Sequence, residues 1–281
     1  MREITLKIDN NNDGRQIREV LKKFGVSSAL LTKLKRTENG ITKNGAFAKA
    51  IEPVHAGDVV KIKLIPSGRA PAPTKGNLDI VYEDDDIIVV NKPPYMPVHE
   101  SRNHRGDTLS NLVAYHTGSN TAFRAVYRLD RDTSGLVLIA KHELAASKLA
   151  GKIKKDYYAL VSGTVTADGV VDKPIARCGD SIIRRRADDS GERAVTHYFS
   201  IKQGENCTLL KFTLETGRTH QIRVHMEYIG HTLLGDSLYD GDCSKIGRQA
   251  LHCKDIYFKH PVTGEEMHLS CDFPNDIKEV M

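Results

Sequence analysis

The chain has 281 residues, of which 40% are hydrophobic and 27% are charged, and its formal net charge at pH 7 is +5. This length allows a large buried core and predicts more than one domain. No apolar run approaches the roughly 18 residues that cross a bilayer, and the start of the chain lacks the pattern of a secretory signal. We therefore predict a cytoplasmic protein without membrane contact. The five cysteines form no Cys-x-x-C pair, which favours free thiols.

Positive charge is concentrated at the start of the chain. Residues 1–65 carry thirteen basic and seven acidic residues, whereas residues 77–281 carry 26 basic and 29 acidic ones. A small basic module is typical of a domain that meets a polyanion, and a solvated charged face is the alternative interpretation. Local signals in this module predict, in chain order, a strand over 5–8, a helix that Asp13 caps and Gly25 ends, a helix from Ser27 or Ser28, the hairpin turn Asn44-Gly45 and a strand over 60–64.

A linker separates this module from the rest of the chain. Residues 66–76 contain three prolines and show no apolar period, which predicts an extended, mobile segment and a domain boundary. The second unit is residues 77–281. Its patterns predict a hairpin over 78–90, a helix from Thr108, a buried strand over 136–140, a helix over 143–153, a strand over 155–163, a hairpin over 195–214, a strand end passing into a helix over 215–226, and a last hairpin over 255–269.

The polar loop before the strand over 136–140 is the most informative stretch. Loops held by rigid strands are where chemistry is found, although an isolated Arg-x-Asp is usually a solvated surface turn. The full string Tyr-Arg-Leu-Asp-Arg-Asp-Thr-Ser-Gly over 127–135 resembles the catalytic signature of the RluA-type pseudouridine synthases, with Tyr127 where the family usually has His. The resemblance implies that Asp130 is the nucleophile of an RNA uridine isomerase. It also implies an α+β fold, with a mixed, mainly antiparallel sheet flanked by helices and a small α/β RNA-binding module before it.

Further strings resemble other motifs of the family, namely Lys92-Pro93, Lys155-Asp156-Tyr157-Tyr158-Ala159, residues 215–226, Leu234-Gly235-Asp236 with Tyr239, and residues 248–252. Adjacent tyrosines on a strand point to opposite faces, and the resemblance selects Tyr157 for the site. A helix turns by about 100° per residue, so Arg218 and Arg223 point in different directions, and their spacing leaves open which of them meets Asp130. The resemblance implies that it is Arg223.

The resemblance also implies contacts with RNA. Arg128 would fill the place of an extruded nucleotide, and a surface phosphate contact is the alternative. Other expected RNA contacts around the site are Lys92, Thr133, Arg218, His220 and Gln221. In the first unit, the order of elements resembles the small alpha-L RNA-binding module first known from a ribosomal small-subunit protein. That resemblance implies salt-dependent phosphate contacts from Lys33, Lys35, Arg36 and Lys43.

The implied reaction breaks the bond between ribose and N1 of uracil and rejoins the base through carbon, without net oxidation or hydrolysis. We therefore expect no cofactor, and the chain has no Gly-x-Gly, phosphate-loop or Gly-x-Ser-x-Gly string. A carboxylate is ionised at neutral pH and a neighbouring arginine keeps it so, which suits Asp130 and Arg223. Tyr157 would pack under the base and relay a proton. His220 and His225 lack the spacing of a helical zinc pair, so we predict no metal.

Two other classes of function are compatible with the same features. One is a non-catalytic RNA-binding or assembly factor on the same fold, and the other is an Asp-dependent glycosidase-like hydrolase, which normally needs a second carboxylate. For the enzyme, the separate basic module favours a large structured target. We predict a monomer that acts on large-subunit ribosomal RNA, with transfer RNA as the second choice.

Overall fold

The computed structural model describes residues 1–118, 122–179, 181 and 183–281. Its N-terminal unit is a small sheet that carries two helices. The elements are β1 (Arg2–Lys7), α1 (Ile17–Phe24), α2 (Ser28–Arg36), β2 (Ile41–Lys43), β3 (Ala46–Phe47) and β4 (Val59–Leu64). The strands are antiparallel in the order β1-β4-β2-β3. Alternate residues of β4 are buried in one core with the apolar faces of both helices, as the alternating pattern predicted.

Local side-chain chemistry sets the ends of these helices. Gly25 has a left-handed backbone with φ of 106° and ends α1, and the Ser27 side chain accepts a hydrogen bond from the backbone of α2. Both predictions are confirmed. The predicted cap at Asp13 is wrong, because Gln16 occupies the cap position of α1. The Asp13 carboxylate instead accepts a hydrogen bond of 2.9 Å from the N–H of Ala56, which holds a turn of the module.

The second unit has an α+β fold, as predicted. Its helices in the described ranges are α3 (Leu109–Thr117), α4 (Glu143–Leu149), α5 (Gln221–Tyr228) and α6 (Asn275–Lys278). Its strands are β5 (Ile80–Glu83), β6 (Ile87–Lys92), β7 (Ser134–Ala140), β8 (Lys154–Ser162), β9 (Gly169–Asp172), β10 (Ile175–Arg177), β11 (Arg185–Ala187), β12 (Val195–Gln203), β13 (Cys207–Leu214), β14 (Leu251–Lys259) and β15 (Glu266–Ser270). Within the described residues, nine of these strands form one sheet in the order β5-β6-β7-β14-β8-β13-β12-β9, with β15 also paired to β14.

Strand β7 lies inside this sheet and follows the polar loop singled out in the sequence. Every residue of β7 is buried, between an antiparallel neighbour, β6, and a parallel one, β14. A strand covered on both faces explains the continuous apolar run. Gly135 has a φ of 115°, and a Cβ atom there would come within 2.2 Å of the carbonyl oxygen of Cys253 on β14. Glycine is therefore required where β7 begins.

The N-terminal unit is docked on the second unit through charged side chains. Arg2 donates to both carboxylate oxygens of Asp86, at 2.8 and 3.1 Å. Lys33 on α2 pairs with Glu143 at the start of α4, at 2.8 Å. Leu144, the next residue, is fully buried in the hydrophobic core of the N-terminal unit. Ion pairs and apolar contacts therefore fix the small unit to α4 and the β5–β6 turn.

The linker contains no helix or strand, as predicted, but it is tied to the second unit. The N–H of Thr74 donates to the carbonyl of Asn111 on α3, and the side-chain amide of Asn111 donates to the carbonyl of Ala72 at 2.7 Å. Nearer the first unit, Arg124 donates to the carbonyl of Ser67 at 2.9 Å. These contacts hold residues 66–76 along the surface of the second unit rather than free in solvent.

None of the helices in the described ranges is both long and apolar enough to cross a bilayer. The five cysteines are free thiols, as predicted, and they are Cys178, Cys207, Cys243, Cys253 and Cys271. Burial raises the pKa of the Cys253 thiol well above its ordinary value. This thiol is therefore protonated at neutral pH and behaves as a core residue.

Replacement of Arg2 by Met should weaken the docking. Although burial alone raises the pKa of Asp86, hydrogen bonds from Arg2 and His142 lower it overall, so the pair stabilises the folded state above a pH of about 4 and this gain is lost in more acidic solution. We expect R2M to lose about 1–3 kcal/mol of stability at pH 7. The deficit should shrink as the pH falls below about 4. Thermal unfolding and proteolysis of the linker measure the effect.

The matched control for R2M is Lys61→Met. Lys61 pairs with Glu3 on the surface of the N-terminal unit, where both side chains are substantially exposed. Exposed pairs contribute little, so K61M should change the stability by less than about 0.5 kcal/mol. Equal effects of the two substitutions would show that Arg2 does not anchor the unit.

Candidate active site

The loop that precedes β7, which we call the Asp130 loop (residues 127–133), presents one carboxylate at the surface of the sheet. Leu129 is buried, whereas Arg128 is exposed and the Asp130 side chain is 33% exposed. The N–H of Thr133 donates to the carbonyl of Asp130 at 3.1 Å, which closes a turn and fixes the backbone of the loop. The Asp130 carboxylate is therefore held by a rigid strand but is open to a ligand.

Arg223, on α5, faces this carboxylate. Its guanidinium is almost completely buried and donates from Nε and Nη2 to the two oxygens of Asp236, at 2.6 and 2.7 Å. Its Nη1 atom then points to Asp130 Oδ2 at 3.5 Å. The guanidinium also lies over the ring of Tyr239, 4.9 Å from its centre. Asp236 thus orients Arg223 through two hydrogen bonds, and the oriented Arg223 points its remaining nitrogen to Asp130.

His220 is a second group next to Asp130. It has a left-handed backbone with φ of 59° just before α5, and its Nε2 atom lies 3.7 Å from Asp130 Oδ2. Its Nδ1 atom lies 2.9 Å from the Tyr239 hydroxyl, which already accepts a hydrogen bond from the N–H of Arg185. The hydroxyl can donate its proton to Nδ1, and a neutral ring then carries its own proton on Nε2, toward Asp130. Burial lowers the pKa of His220 although Asp130 opposes the shift, so the ring is neutral at pH 7.

These contacts distinguish the two oxygens of Asp130. Arg223 and His220 both approach Oδ2, at 3.5 and 3.7 Å. These distances are longer than firm hydrogen bonds, and such contacts commonly shorten when a substrate binds. Among the described residues, neither donor forms a hydrogen bond to Oδ1. The contacts of Arg223 and His220 with Asp130 are therefore concentrated on one of its two oxygens.

Tyr157 lies in the core beneath the loop. On β8 it stands opposite Phe212 of β13 and Cys253 of β14, and it is 7% exposed. Burial is the main cause that raises the pKa of Tyr157 far above its ordinary value, with smaller effects from Cys253 and Asp130. Tyr158 points to the other face, where its ring meets Phe273. The two tyrosines thus lie on opposite faces of the sheet, as their adjacent positions in the sequence predicted.

Tyr127, the position that departs from the family signature, has a structural partner. Its hydroxyl donates to the carbonyl of Leu136 on β7 at 2.9 Å. The ammonium group of Lys155 lies 4.6 Å from the centre of its ring. Tyr127 therefore fastens the start of the Asp130 loop to the strand that follows it.

Lys92 is fully buried, so the predicted RNA contact is wrong for this residue. Its ammonium group donates to the carbonyls of Pro93, Met96 and Arg131, at 2.8, 2.9 and 2.9 Å. Burial lowers the pKa of Lys92 to about 7, whereas three acceptors favour the charged form, because only an ammonium has three N–H groups to donate. Lys92 therefore clamps the 93–96 turn to the Asp130 loop.

Thr133 and Gln221 are also buried, and their predicted RNA contacts are corrected for the same reason. The Thr133 hydroxyl accepts a hydrogen bond from Gln249 at 3.2 Å. The Gln221 side chain accepts from the N–H of Arg218 and donates to the carbonyl of Val195. Their side chains stabilise the loops around the site from inside. A polar residue in a motif does not reveal by itself whether its side chain is exposed.

The remaining predicted RNA contacts are at the surface, except His220, whose side chain is 9% exposed and lies next to Asp130. Arg218 is exposed, pairs with Glu192 and donates to the carbonyl of Arg193. It does not approach Asp130, which answers the choice between the two arginines that spacing had left open. In the N-terminal unit, Lys35, Arg36 and the partly buried Lys43 remain at the surface. Lys33 is also partly exposed, but it pairs with Glu143, and we assign it to docking.

One group of side chains in the described ranges has metal-ligand geometry, and it lies at the docking interface rather than at Asp130. It consists of Asp84, Asp86 and His260. Its oxygens already have donors: Asp86 accepts from Arg2 and His142, and Asp84 interacts with His260 at 2.8 Å. The contact of Asp86 with Arg2 joins the two units, whereas the contacts with His142 and His260 lie within the second unit. His225 is distant from this group and contacts Thr196 and the carbonyl of Lys173.

Three comparisons with known proteins agree with each other. A family model described as RNA pseudouridylate synthase matches residues 86–228. The uncharacterized RNA pseudouridine synthase YjbO of Bacillus subtilis (strain 168) is 39% identical over 94% of this chain and 98% of its own length. The ribosomal large subunit pseudouridine synthase D of Vibrio cholerae serotype O1 is 41% identical over 72% of this chain and 69% of its own. Among solved structures, human RNA pseudouridylate synthase domain containing 1 superposes with a TM-score of 0.59 and 25% identity, over 70% of this chain and 83% of that one.

The contact between Asp236 and Arg223 gives a stability test that needs no substrate. Asp236 is 1% exposed, so Asp236→Asn leaves a buried cation without its counter-charge. We expect a loss of about 3 kcal/mol in the free energy of unfolding, measured with denaturant. The control is Asp240→Asn in the same loop, where the carboxylate is 80% exposed and its partner Arg184 keeps a second acidic partner. A loss in D236N no larger than in D240N would contradict the proposed buried pair.

Proposed function

Because the chain belongs to the RluA-type family of RNA pseudouridine synthases, we propose that it modifies uridines of large-subunit ribosomal RNA and that Asp130 is its nucleophile. The single observation that carries the second part is the geometry at Oδ2. Arg223 and His220 hold that oxygen from one side, and the Asp130 side chain remains one third exposed. A carboxylate so oriented presents Oδ1 to a nucleotide.

The other residues of the site support this reaction in distinct ways. Arg223 orients the Asp130 carboxylate through Nη1 and is itself kept in place by Asp236. Tyr157 packs beneath the site, and because burial raises its pKa it carries its proton at neutral pH. It is therefore suited to support the base and to exchange a proton during the rearrangement, rather than to act as a standing base.

The target base must leave its stack to reach Asp130, at a cost of a few kcal/mol. Arg128 is exposed, and its neighbour Leu129 is buried, so the arginine projects from the loop toward the substrate side. We assign Arg128 to the space that the flipped nucleotide vacates. The same exposed guanidinium would contact phosphates on either side of that space.

The alternative of a hydrolase requires a second, free carboxylate beside Asp130. Glycosidic hydrolysis normally pairs a nucleophile with a carboxylic acid that protonates the leaving group. Asp236 shares Arg223 with Asp130, but it is 1% exposed and accepts hydrogen bonds from Arg223 with both oxygens. It cannot serve as a free acid, so an isomerase is favoured over a hydrolase.

Two observations favour ribosomal RNA as the substrate. Several relatives at 38–41% identity carry the name ribosomal large subunit pseudouridine synthase D. In addition, the docked N-terminal unit keeps Lys35 and Arg36 exposed at the end of α2. These cations supply affinity for phosphates without reading sequence. A large folded RNA offers contacts to both units at once. We also propose that the protein acts as a monomer.

Pseudouridine mapping tests the substrate and the nucleophile together. Cells that lack the protein should lose pseudouridine at one or more positions of large-subunit ribosomal RNA, and the wild-type protein should restore them. Asp130→Asn should not, and in vitro it should release tritium from uridine labelled at C5 more than about 1000-fold more slowly. A loss confined to transfer RNA would contradict the ribosomal target. Restoration by D130N, or release of free uracil, would contradict the proposed chemistry.

Replacement of His220 tests its effect on Asp130. We expect His220→Ala to lower kcat by about 100-fold with little change in the Kd for RNA, since it misplaces the reacting oxygen. His220→Gln should recover part of the rate, because its amide supplies an N–H donor. The control is His225→Gln on α5, the helix that follows His220. His225 is also buried, but it contacts Thr196 and the carbonyl of Lys173 instead. H225Q should lower the melting temperature without lowering kcat, and equal kcat losses in H220A, H220Q and H225Q would assign His220 to folding alone.

A further inference from the structure

A strained and exposed tyrosine stands beside the Asp130 loop. Tyr95 has a left-handed backbone with φ of 63°, a conformation that bulky side chains rarely adopt. Its side chain is 58% exposed, so burial of the ring does not offset the strain. Strained residues persist where the surrounding structure imposes them, and they concentrate at functional sites. Tyr95 therefore invites a functional explanation.

Lys92 imposes the conformation of Tyr95. Its ammonium group donates to the carbonyls of Pro93 and Met96, on either side of Tyr95, and to the carbonyl of Arg131. Arg131 is the residue next to the nucleophile of the proposed reaction. One buried side chain thus shapes the turn that carries the tyrosine and joins this turn to the Asp130 loop. The ring is presented to solvent before any substrate arrives.

The surroundings of the ring match a nucleic acid. A Cβ atom on Gly247 would stand 3.9 Å from the Tyr95 hydroxyl, so the ring spans from the Asp130 loop toward the segment before β14. Arg131 is 54% exposed, although its guanidinium pairs with Asp132 at 2.7 Å, and Arg128 is exposed in the same loop. Exposed aromatic rings bind unpaired bases by stacking, while cations on the same surface contact the phosphates.

We propose that Tyr95 is a stacking site for an unpaired nucleobase that neighbours the target uridine in the RNA substrate. The inference rests on the proposed function only in that the substrate is an RNA, whichever RNA the mapping assigns. A flipped uridine leaves its neighbours without a stacking partner, and the exposed ring supplies one. Because Lys92 fixes the turn in advance, RNA binding does not have to order it.

Salt-dependent binding separates stacking from charge. The probe is a fluorescein-labelled hairpin that carries the mapped uridine, bound to full-length protein with the D130N substitution so that no turnover occurs. Tyr95→Ala should weaken binding by about 5- to 100-fold, with an unchanged slope of log Kd against log salt concentration. Tyr95→Phe should bind like the parent, and Lys35→Ala should reduce the slope. Equal affinity of Y95A and the parent would overturn the proposal, as would a changed slope.

A fluorescence measurement locates the contact directly. The chain contains no tryptophan, so Tyr95→Trp introduces a single reporter whose emission should be quenched when a base stacks on it. The matched control is Phe199→Trp on β12, 38% exposed. The Thr196 side chain on the same strand contacts His225 of α5. Phe199 is three positions further along, so its side chain points to the opposite face of the sheet, away from α5. Quenching in Y95W and not in F199W supports the site, and unquenched Y95W overturns it.

Stability measurements test whether Tyr95 has a purely structural role. Tyr95→Gly removes the backbone strain, so it should raise the melting temperature by about 2–4 °C. The same substitution should weaken RNA binding as much as Y95A does. A lower melting temperature in Y95G would show that the tyrosine stabilises the fold and would overturn the proposal. If the ribosomal target proves wrong, the hairpin is taken from the RNA that mapping identifies. The stacking role of Tyr95 can therefore be tested whether or not ribosomal RNA is the substrate.

Discussion

The site depends on a buried ion pair that has one donor left over. Asp236 uses both oxygens on two nitrogens of Arg223, and the third nitrogen points to Asp130. A planar guanidinium can do this because its donors have fixed directions, whereas a lysine would offer one point charge on a flexible stem. Burial makes the pair costly to break, since either member alone would be an uncompensated charge. The geometry of Asp130 is thereby built into the core and does not rely on solvent-exposed contacts.

The sheet brings these groups together from distant parts of the sequence. Asp130 precedes β7, Arg223 lies on α5, and Tyr157 lies on β8, which is separated from β7 by β14. Gly135 allows β7 to approach β14 closely enough for this order to form. The loops carry the chemistry and the strands fix their separation, so changes in packing at the start of β7 act on the site without touching it.

Sequence alone was sufficient where a signal is local or where a string is long. Gly25 and Ser27 ended and began helices as expected, because caps depend on a single residue and its backbone. The string around Asp130 was specific enough to identify the loop. Lys92 and Gln221 were assigned wrongly to RNA, because their partners come from other segments and polarity does not predict burial. Asp236 was noted near the rim, but its contact with Arg223 depends on the path of the chain after α5, which no local pattern specifies.

The docking of the N-terminal unit has a consequence for how a substrate is chosen. Arg2 and Lys33 form ion pairs that attach this unit to the β5–β6 turn and to α4. Lys35 and Arg36 remain exposed, where they can contact the phosphates of an RNA. The docking contacts set the distance between these cations and Asp130. Under the proposed function, an RNA that binds both regions would have to match this distance, so selection would follow the three-dimensional shape of the RNA more than the sequence around the target uridine.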